Sequence, residues 1–208
     1  MTTIHVTLEM TNYIAHPFWP ARNACIEIEK KSGVNRQKSD EKRIQALKAE
    51  CGKQGITYER YLELREEAKE QWYRNNDGVI VIPRHQIAGA LVQTIGTAPK
   101  ALRGSFDRDN FRALVQISDF TTELKESTGT FGRFVKLDGT NQRSWQENDF
   151  IGQYLDKGQP FKTTGVISCQ DEKQMQAVKA CLATAVESTG VGASRKMGFG
   201  RGKIASWE

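Results

Sequence analysis

No run of apolar residues in this 208-residue chain approaches the roughly 18 that a membrane-crossing helix needs. That absence argues against a helical membrane protein. The opening segment, MTTIHVTLEM, lacks the basic start and apolar core of a signal peptide, so the expected location is the cytoplasm. Cysteine is scarce and dispersed. Cys25, Cys51, Cys169 and Cys181 form no C-x-x-C pair and have no neighbouring histidine to complete a zinc set, so buried free thiols and no metal site are expected. There is no G-x-x-x-x-G-K-[ST] loop and no G-x-G-x-x-G opening a helix after a strand, which disfavours nucleotide cofactors; none is expected. Internal repeats and low-complexity linkers are also missing.

What is present fits a soluble globular chain: 38% hydrophobic, 26% charged and 9% aromatic residues, too apolar for wholesale disorder. The length suits one domain with large insertions. Thirty basic residues against 25 acidic ones give a formal charge of +5, which permits a polyanionic partner without requiring one. Where the charge sits matters more than its sum.

Ile4, Val6, Leu8 and Met10 alternate with polar residues from Thr3 to Met10, the period of a strand with one buried face. The charge-dense stretch to Gly78 predicts a short strand at Ala24–Glu29 and helices at Asp40–Cys51 and Tyr58–Tyr73, the latter capped by Thr57. Val79–Ile82 reads as a strand that feeds a helix over Arg84–Ile95 through Pro83. Further strands are expected at Phe111–Phe120, Phe131–Leu137, Phe161–Cys169 and Lys203–Trp207, with an amphipathic helix at Asp171–Glu187. With the insertions set aside, the order is strand, helix, strand, strand, helix, strand. The expected class is therefore α+β, a ferredoxin-like or RRM-like domain spanning 1–208, with both helices on one sheet face and the other face left for a partner. Residues 17–78 form an insertion after the first strand, and the polar stretch 121–158 a hairpin excursion.

The most informative segment runs from Gly190 to Gly202, with five glycines in thirteen residues. Glycine admits positive φ and brings backbone N–H groups close to a ligand, so the loop is a candidate phosphate cradle. Arg195, Lys196, Arg201 and Lys203 supply charge, and the last nineteen residues carry a net +3.

Gly190-Val191-Gly192, five residues including Arg195 and Lys196, and Gly198-Phe199-Gly200 resemble the G-h-G-x-x-x-x-x-G-x-G loop of the RAMP superfamily of CRISPR-associated RNA-binding proteins. Val81-Ile82-Pro83-Arg84-His85-Gln86-Ile87-Ala88-Gly89-Ala90-Leu91 resembles the "I-P-G-S-S-L-x-G-x-L" lead into the first helix of the subunits that form the backbone of CRISPR effector complexes, departing from it at Arg84-His85-Gln86. These motifs cover about 24 residues; over the rest the resemblance is topological, with 17–78 at the family's large insertion and 121–158 at its hairpin thumb.

The resemblance implies a noncatalytic subunit that binds CRISPR RNA through phosphate contacts, polymerises along it beside other effector subunits, and leaves target recognition to base pairing. It points to Arg195, Lys196 and Arg201, together with Gly190, Gly192, Gly198, Phe199, Gly200 and Lys203, and to Arg84, His85 and Gln86 at a helix N-terminus suited to an anion. Arg133, Lys136 and Arg143 of the hairpin join them, with Phe131 and Phe134 placed either to stack on bases or in the core. A repeat-processing endoribonuclease of the same superfamily is the alternative; its candidates are His16 and His85, helped by Tyr13 or Lys100. Metal-dependent target cleavage would fall to Asp40 or Asp77, which read first as helix-capping and turn residues. A phage-borne mimic that inhibits a host complex and a plain protein-interaction domain remain the other readings.

Overall fold

The computed structural model describes residues 1–15, 19–136 and 143–208, with only the backbone of Trp19, Val135, Lys136, Arg143, Ser144 and Gln146. In chain order the elements are strands β1 (Thr2–Met10) and β2 (Asn12–Tyr13), helices α1 (Trp19–Ser32), α2 (Asp40–Lys53) and α3 (Tyr58–Glu67), then β3 (Tyr73–Arg74) and β4 (Ile80–Ile82). Helices α4 (Arg84–Thr97), α5 (Lys100–Arg103) and α6 (Phe111–Leu114) lead to β5 (Gln116–Ile117) and β6 (Phe120–Thr122). The long strands β7 (Gly129–Lys136), β8 (Arg143–Gly152) and β9 (Phe161–Cys169) precede α7 (Glu172–Thr184) and the closing β10 (Gly202–Trp207). The protein is α+β with antiparallel sheets. Among the described residues, no helix is long and apolar enough to cross a membrane.

Two compact units divide the chain: residues 1–15 with 73–208, and residues 16–72. In the first, the main sheet runs β10-β1-β9-β6-β4-β3, with β5 also on β9, and every pairing is antiparallel. The alternation read in β1 fits its place between β10 and β9, with one face in the core. Ile4, Val6, Leu8 and Met10 are buried beside Thr163 and Ile167 of β9, and Ile87, Leu91 and Ile95 of α4 with Met175, Val178 and Leu182 of α7 are buried at helical spacing. The other face of β1 and β9 is polar, with Thr3 and Ser168 hydroxyls 2.8 Å apart and those of Thr7 and Thr164 3.4 Å apart. A second sheet, β2-β8-β7, is built on the β7–β8 hairpin, paired in register from Gly129 opposite Phe150 to Lys136 opposite Arg143.

The second unit is helical. Its core is Cys25 and Ile28 of α1, Leu47 and Cys51 of α2, and Tyr61 of α3. Ser39 caps α2, and Thr57 caps α3 by accepting the Arg60 N–H at 3.1 Å. The strand expected at Ala24–Glu29 is instead the middle of α1. Ile26 and Ile28 alternate with glutamates, but the stripe that is buried is Ala21, Cys25 and Ile28, at spacings of four and three, and Ile26 is 48% exposed. The strand expected across Phe111–Phe120 is also broken: Phe111 and Val115, four apart, are buried as one short helical turn, leaving two residues for β5 and three for β6. The helix expected to run to Tyr73 stops at Glu67. All four cysteines are buried free thiols.

Candidate nucleic-acid interface

Three stretches singled out in the sequence meet at Asn12-Tyr13-Ile14, just beyond β1. The Gly200 N–H donates to the Asn12 carbonyl (3.1 Å) and lies 3.2 Å from Asn12 Oδ1, while the Ala193 N–H donates to the Ile14 carbonyl (2.8 Å). Asn12 Nδ2 donates to the Gln153 carbonyl at 3.0 Å, tying in the end of the hairpin. The Tyr13 hydroxyl donates to Gln86 Oε1 at 2.7 Å, tying in the first turn of α4. Tyr13 is fully buried, and burial pushes its phenol well above the usual range, with Tyr73 adding to the rise. A phenol so placed is an anchor rather than a proton-transfer partner.

Gly190, Gly192 and Gly200 serve close packing, and much of the loop's backbone is turned inward rather than offered as a cradle. Gly190, Gly192, Gly198 and Gly200 all have positive φ. A Cβ on Gly192 would lie 2.5 Å from both the Ile14 carbonyl oxygen and the Tyr13 ring, and one on Gly200 would overlap the Val191 carbonyl oxygen. The N–H groups of Gly190, Val191, Ala193, Met197, Gly198 and Gly200 all donate within the protein, so they are not offered to a phosphate. Phe199 is likewise buried, and its ring packs 4.9 Å from Phe131 and 4.8 Å from Tyr154, beside Phe150. It cannot stack on a base from there.

What the loop presents is the turn Arg195–Met197, entered through Ser194 at φ 54 and left through Gly198 at φ 88. Lys196 and Met197 are exposed. Arg195 Nη1 donates to Gln93 Oε1 of α4 at 2.7 Å, which holds the guanidinium at the surface. Arg201 is exposed, but it lines a hollow that also contains Glu9 and Glu187, and Lys203 pairs with Glu9 at 3.1 Å. The uncompensated charge therefore lies at Arg195 and Lys196.

At the start of α4, Arg84 and His85 are exposed and Gln86 is buried. Asp119 Oδ1 accepts the Arg84 backbone N–H at 2.7 Å, so a carboxylate already occupies the helix N-terminus expected to favour an anion. The His85 ring meets Tyr73 edge-on at 5.5 Å. Burial holds its pKa below the usual value and Arg84 pushes the same way, against the pull of Asp119.

On the hairpin, Phe131 is in the aromatic cluster, whereas Phe134 is 65% exposed and packs edge-on against Trp145 of the facing strand, 5.0 Å away and 52% exposed. Arg133 is partly buried, its Nε without a hydrogen-bond partner among the described residues. Lys136 and Arg143 face each other across the ladder, and their side chains lie outside the described residues. His16 also lies outside them. Asp40 opens α2 and pairs with Arg43 at 3.0 Å, and Asp77 lies in an Asn75-led turn, both ordinary positions for helix-end and turn carboxylates. Lys100 is exposed at the start of α5.

No family model matches this chain, and no curated protein does. Among solved structures, a chain of the type III-B Cmr-beta complex bound to cognate target RNA, determined by cryo-EM, matches over 100% of this chain and 60% of its own length, at 9% identity and a TM-score of 0.51. The two chains share a fold. Cmr6 from Pyrococcus furiosus, a crystal structure, aligns over 98% of both chains at 9% identity with a TM-score of 0.38. The present chain thus spans about 60% of the length of the Cmr-beta chain whose fold it has.

Two features of the site escaped the sequence reading. Asn12 and Ile14 were not singled out, and Tyr13 was read only as a possible helper in RNA cleavage, yet together they are the common footing of loop, hairpin and α4. Trp145 was legible only through the hairpin register, which places it opposite Phe134.

Proposed function

We propose that this chain is a noncatalytic, CRISPR RNA-binding backbone subunit of an effector complex. In this reading it is one ferredoxin-like domain that carries an insertion over residues 17–78 and a thumb-like hairpin within 121–158. The strand order β10-β1-β9-β6, with α4 and α7 as the two helices, supports the domain assignment. So does the shared fold with a chain from a complex bound to target RNA.

The observation that carries the reading is the joint anchoring of loop and hairpin. Phe199 of the loop and Phe131 and Phe150 of the hairpin form one buried cluster with Ile14, so the basic turn at Arg195–Met197 and the exposed Phe134–Trp145 pair are held on a common base. Cations for phosphates beside aromatics for unstacked bases are the two components of single-strand binding without sequence preference. The subunit polymerises along the guide, makes contact with other effector subunits, and leaves target reading to base pairing. Arg133, Lys136, Arg143, Arg201 and Lys203 contribute further phosphate contacts. The glycines act through the backbone shape they permit, and Gln86 through the hydrogen bond its Oε1 accepts from Tyr13.

Fluorescence anisotropy with labelled single-stranded CRISPR RNA tests the assignment. The variant Arg195→Ala/Lys196→Ala is expected to bind about tenfold or more weakly, with a salt slope shallower by roughly 1–2. Equal affinity of the two proteins, or no RNA binding by either at moderate salt, would overturn it.

A further inference from the structure

A 640 Å³ cleft opens where the start of α4 meets α6, β5 and β9. Its polar lining is Arg84, His85, Arg112, Gln116, Ser118 and Ser168; its apolar lining is Ala88, Phe111, Val115, Ile117 and Val166. The size is within the range of small-molecule sites, roughly 300–1,000 Å³.

The chemistry of the wall is one-sided. Among the described residues, no carboxylate lines the cleft. Asp119, next in the chain to Ser118, accepts the Arg84 backbone N–H. Ser118 Oγ donates to the Asp119 carbonyl and accepts the Val166 N–H, both at 2.8 Å, and Ser168 Oγ lies 2.8 Å from Thr3 Oγ1, so the hydroxyls are already engaged. The guanidiniums of Arg84 and Arg112 are not: among the described residues neither has an ion pair or a side-chain hydrogen bond, and both are exposed. Two uncommitted guanidiniums are suited to bidentate recognition of a phosphate. The apolar lining below them is suited to a flat ring.

This cleft is not part of the loop surface. Gln93, which holds Arg195, is nine residues beyond Arg84, about 180° around α4 at 3.6 residues per turn. A phosphate at Arg195–Lys196 and one at Arg84–Arg112 therefore lie on opposite sides of the helix.

We propose that the cleft is a separate binding site for a nucleoside monophosphate, free or as the phosphorylated end of a strand, with the phosphate between Arg84 and Arg112 and the base against Val115, Ile117 and Val166. The site does not depend on the effector-subunit reading.

Calorimetric titration of the full chain with AMP, adenosine and inorganic phosphate tests it. AMP is expected to bind saturably, adenosine and phosphate each about tenfold or more weakly, and Arg112→Ala to weaken AMP by about tenfold or more. Arg84→Ala, which keeps the backbone N–H bonded to Asp119, should do the same, and Arg195→Ala/Lys196→Ala should bind AMP as the parent does. No AMP binding at millimolar concentration, equal binding by the arginine variants, or phosphate binding as tightly as AMP would each overturn the proposal. A 5′-phosphorylated oligonucleotide set against its 5′-hydroxyl form distinguishes the sources: a gain from the phosphate assigns the cleft to a strand end, and none, with AMP bound, to a free nucleotide. Loss of RNA binding in the loop variant with AMP binding intact would separate the two sites.

Discussion

Gly198 and Gly200 stand two positions apart and both have positive φ, yet they meet different surroundings. An added Cβ at Gly198 touches nothing within 4 Å, whereas at Gly200 it runs into the Val191 backbone across the neck of the loop. Gly198→Ala is therefore expected to cost only the left-handed strain, about 1–2 kcal/mol. Gly200→Ala adds a backbone clash and should cost clearly more, about 3 kcal/mol or above, a further fall in melting temperature of several degrees for a chain of this size. Thermal melts of the two variants check this, and equal stability would show that the loop neck is not closed as described. The same residues mark the limit of the sequence reading. Glycine density and cation density are visible along the chain. That the Gly200 and Ala193 N–H groups face inward to Asn12 and Ile14 depends on partners almost 190 positions away.

The elements separate into those whose burial pattern is local and those whose pattern is decided by a neighbour. β1, β9, α4 and α7 were legible because each has one buried face repeating at a single period. α1 was not, because Cys25-Ile26-Glu27-Ile28-Glu29 satisfies a strand period as well as a helix period, and only packing on α2 and α3 selects Cys25 and Ile28. The hairpin shows both situations. Phe131 and Phe134 are three apart on one strand, and the cluster around Phe199 buries the first and leaves the second outside with Trp145. Because that pair is exposed, Phe134→Ala/Trp145→Ala should leave the melting temperature within about 2 °C of the parent, given the usual size of surface substitutions. It should weaken single-stranded RNA binding by roughly 1–3 kcal/mol, the usual worth of one stacked base. A large loss of stability with unchanged RNA affinity would instead make the pair structural.

At the scale of the whole molecule, the helical unit has its own core, and the sheet unit holds the loop, the hairpin and the start of α4 on one short segment after β1. β1, β4, α4, β9, α7 and β10 were readable from the sequence by their burial period and by the glycine, proline or cap beside them, whereas α1 and the α6–β6 stretch were not. Nor was the footing at Asn12–Ile14, because its partners are contributed by three separated parts of the chain. The central claim, that copies of this protein line up along a guide RNA, is tested most directly by mass photometry on CRISPR RNAs of increasing spacer length, with RNA integrity followed on a gel. The account expects intact RNA and a number of bound copies that rises stepwise with spacer length, and loss of the higher steps in Arg195→Ala/Lys196→Ala. A single copy per RNA whatever its length, or one cut within the repeat that disappears in His85→Ala, would contradict it.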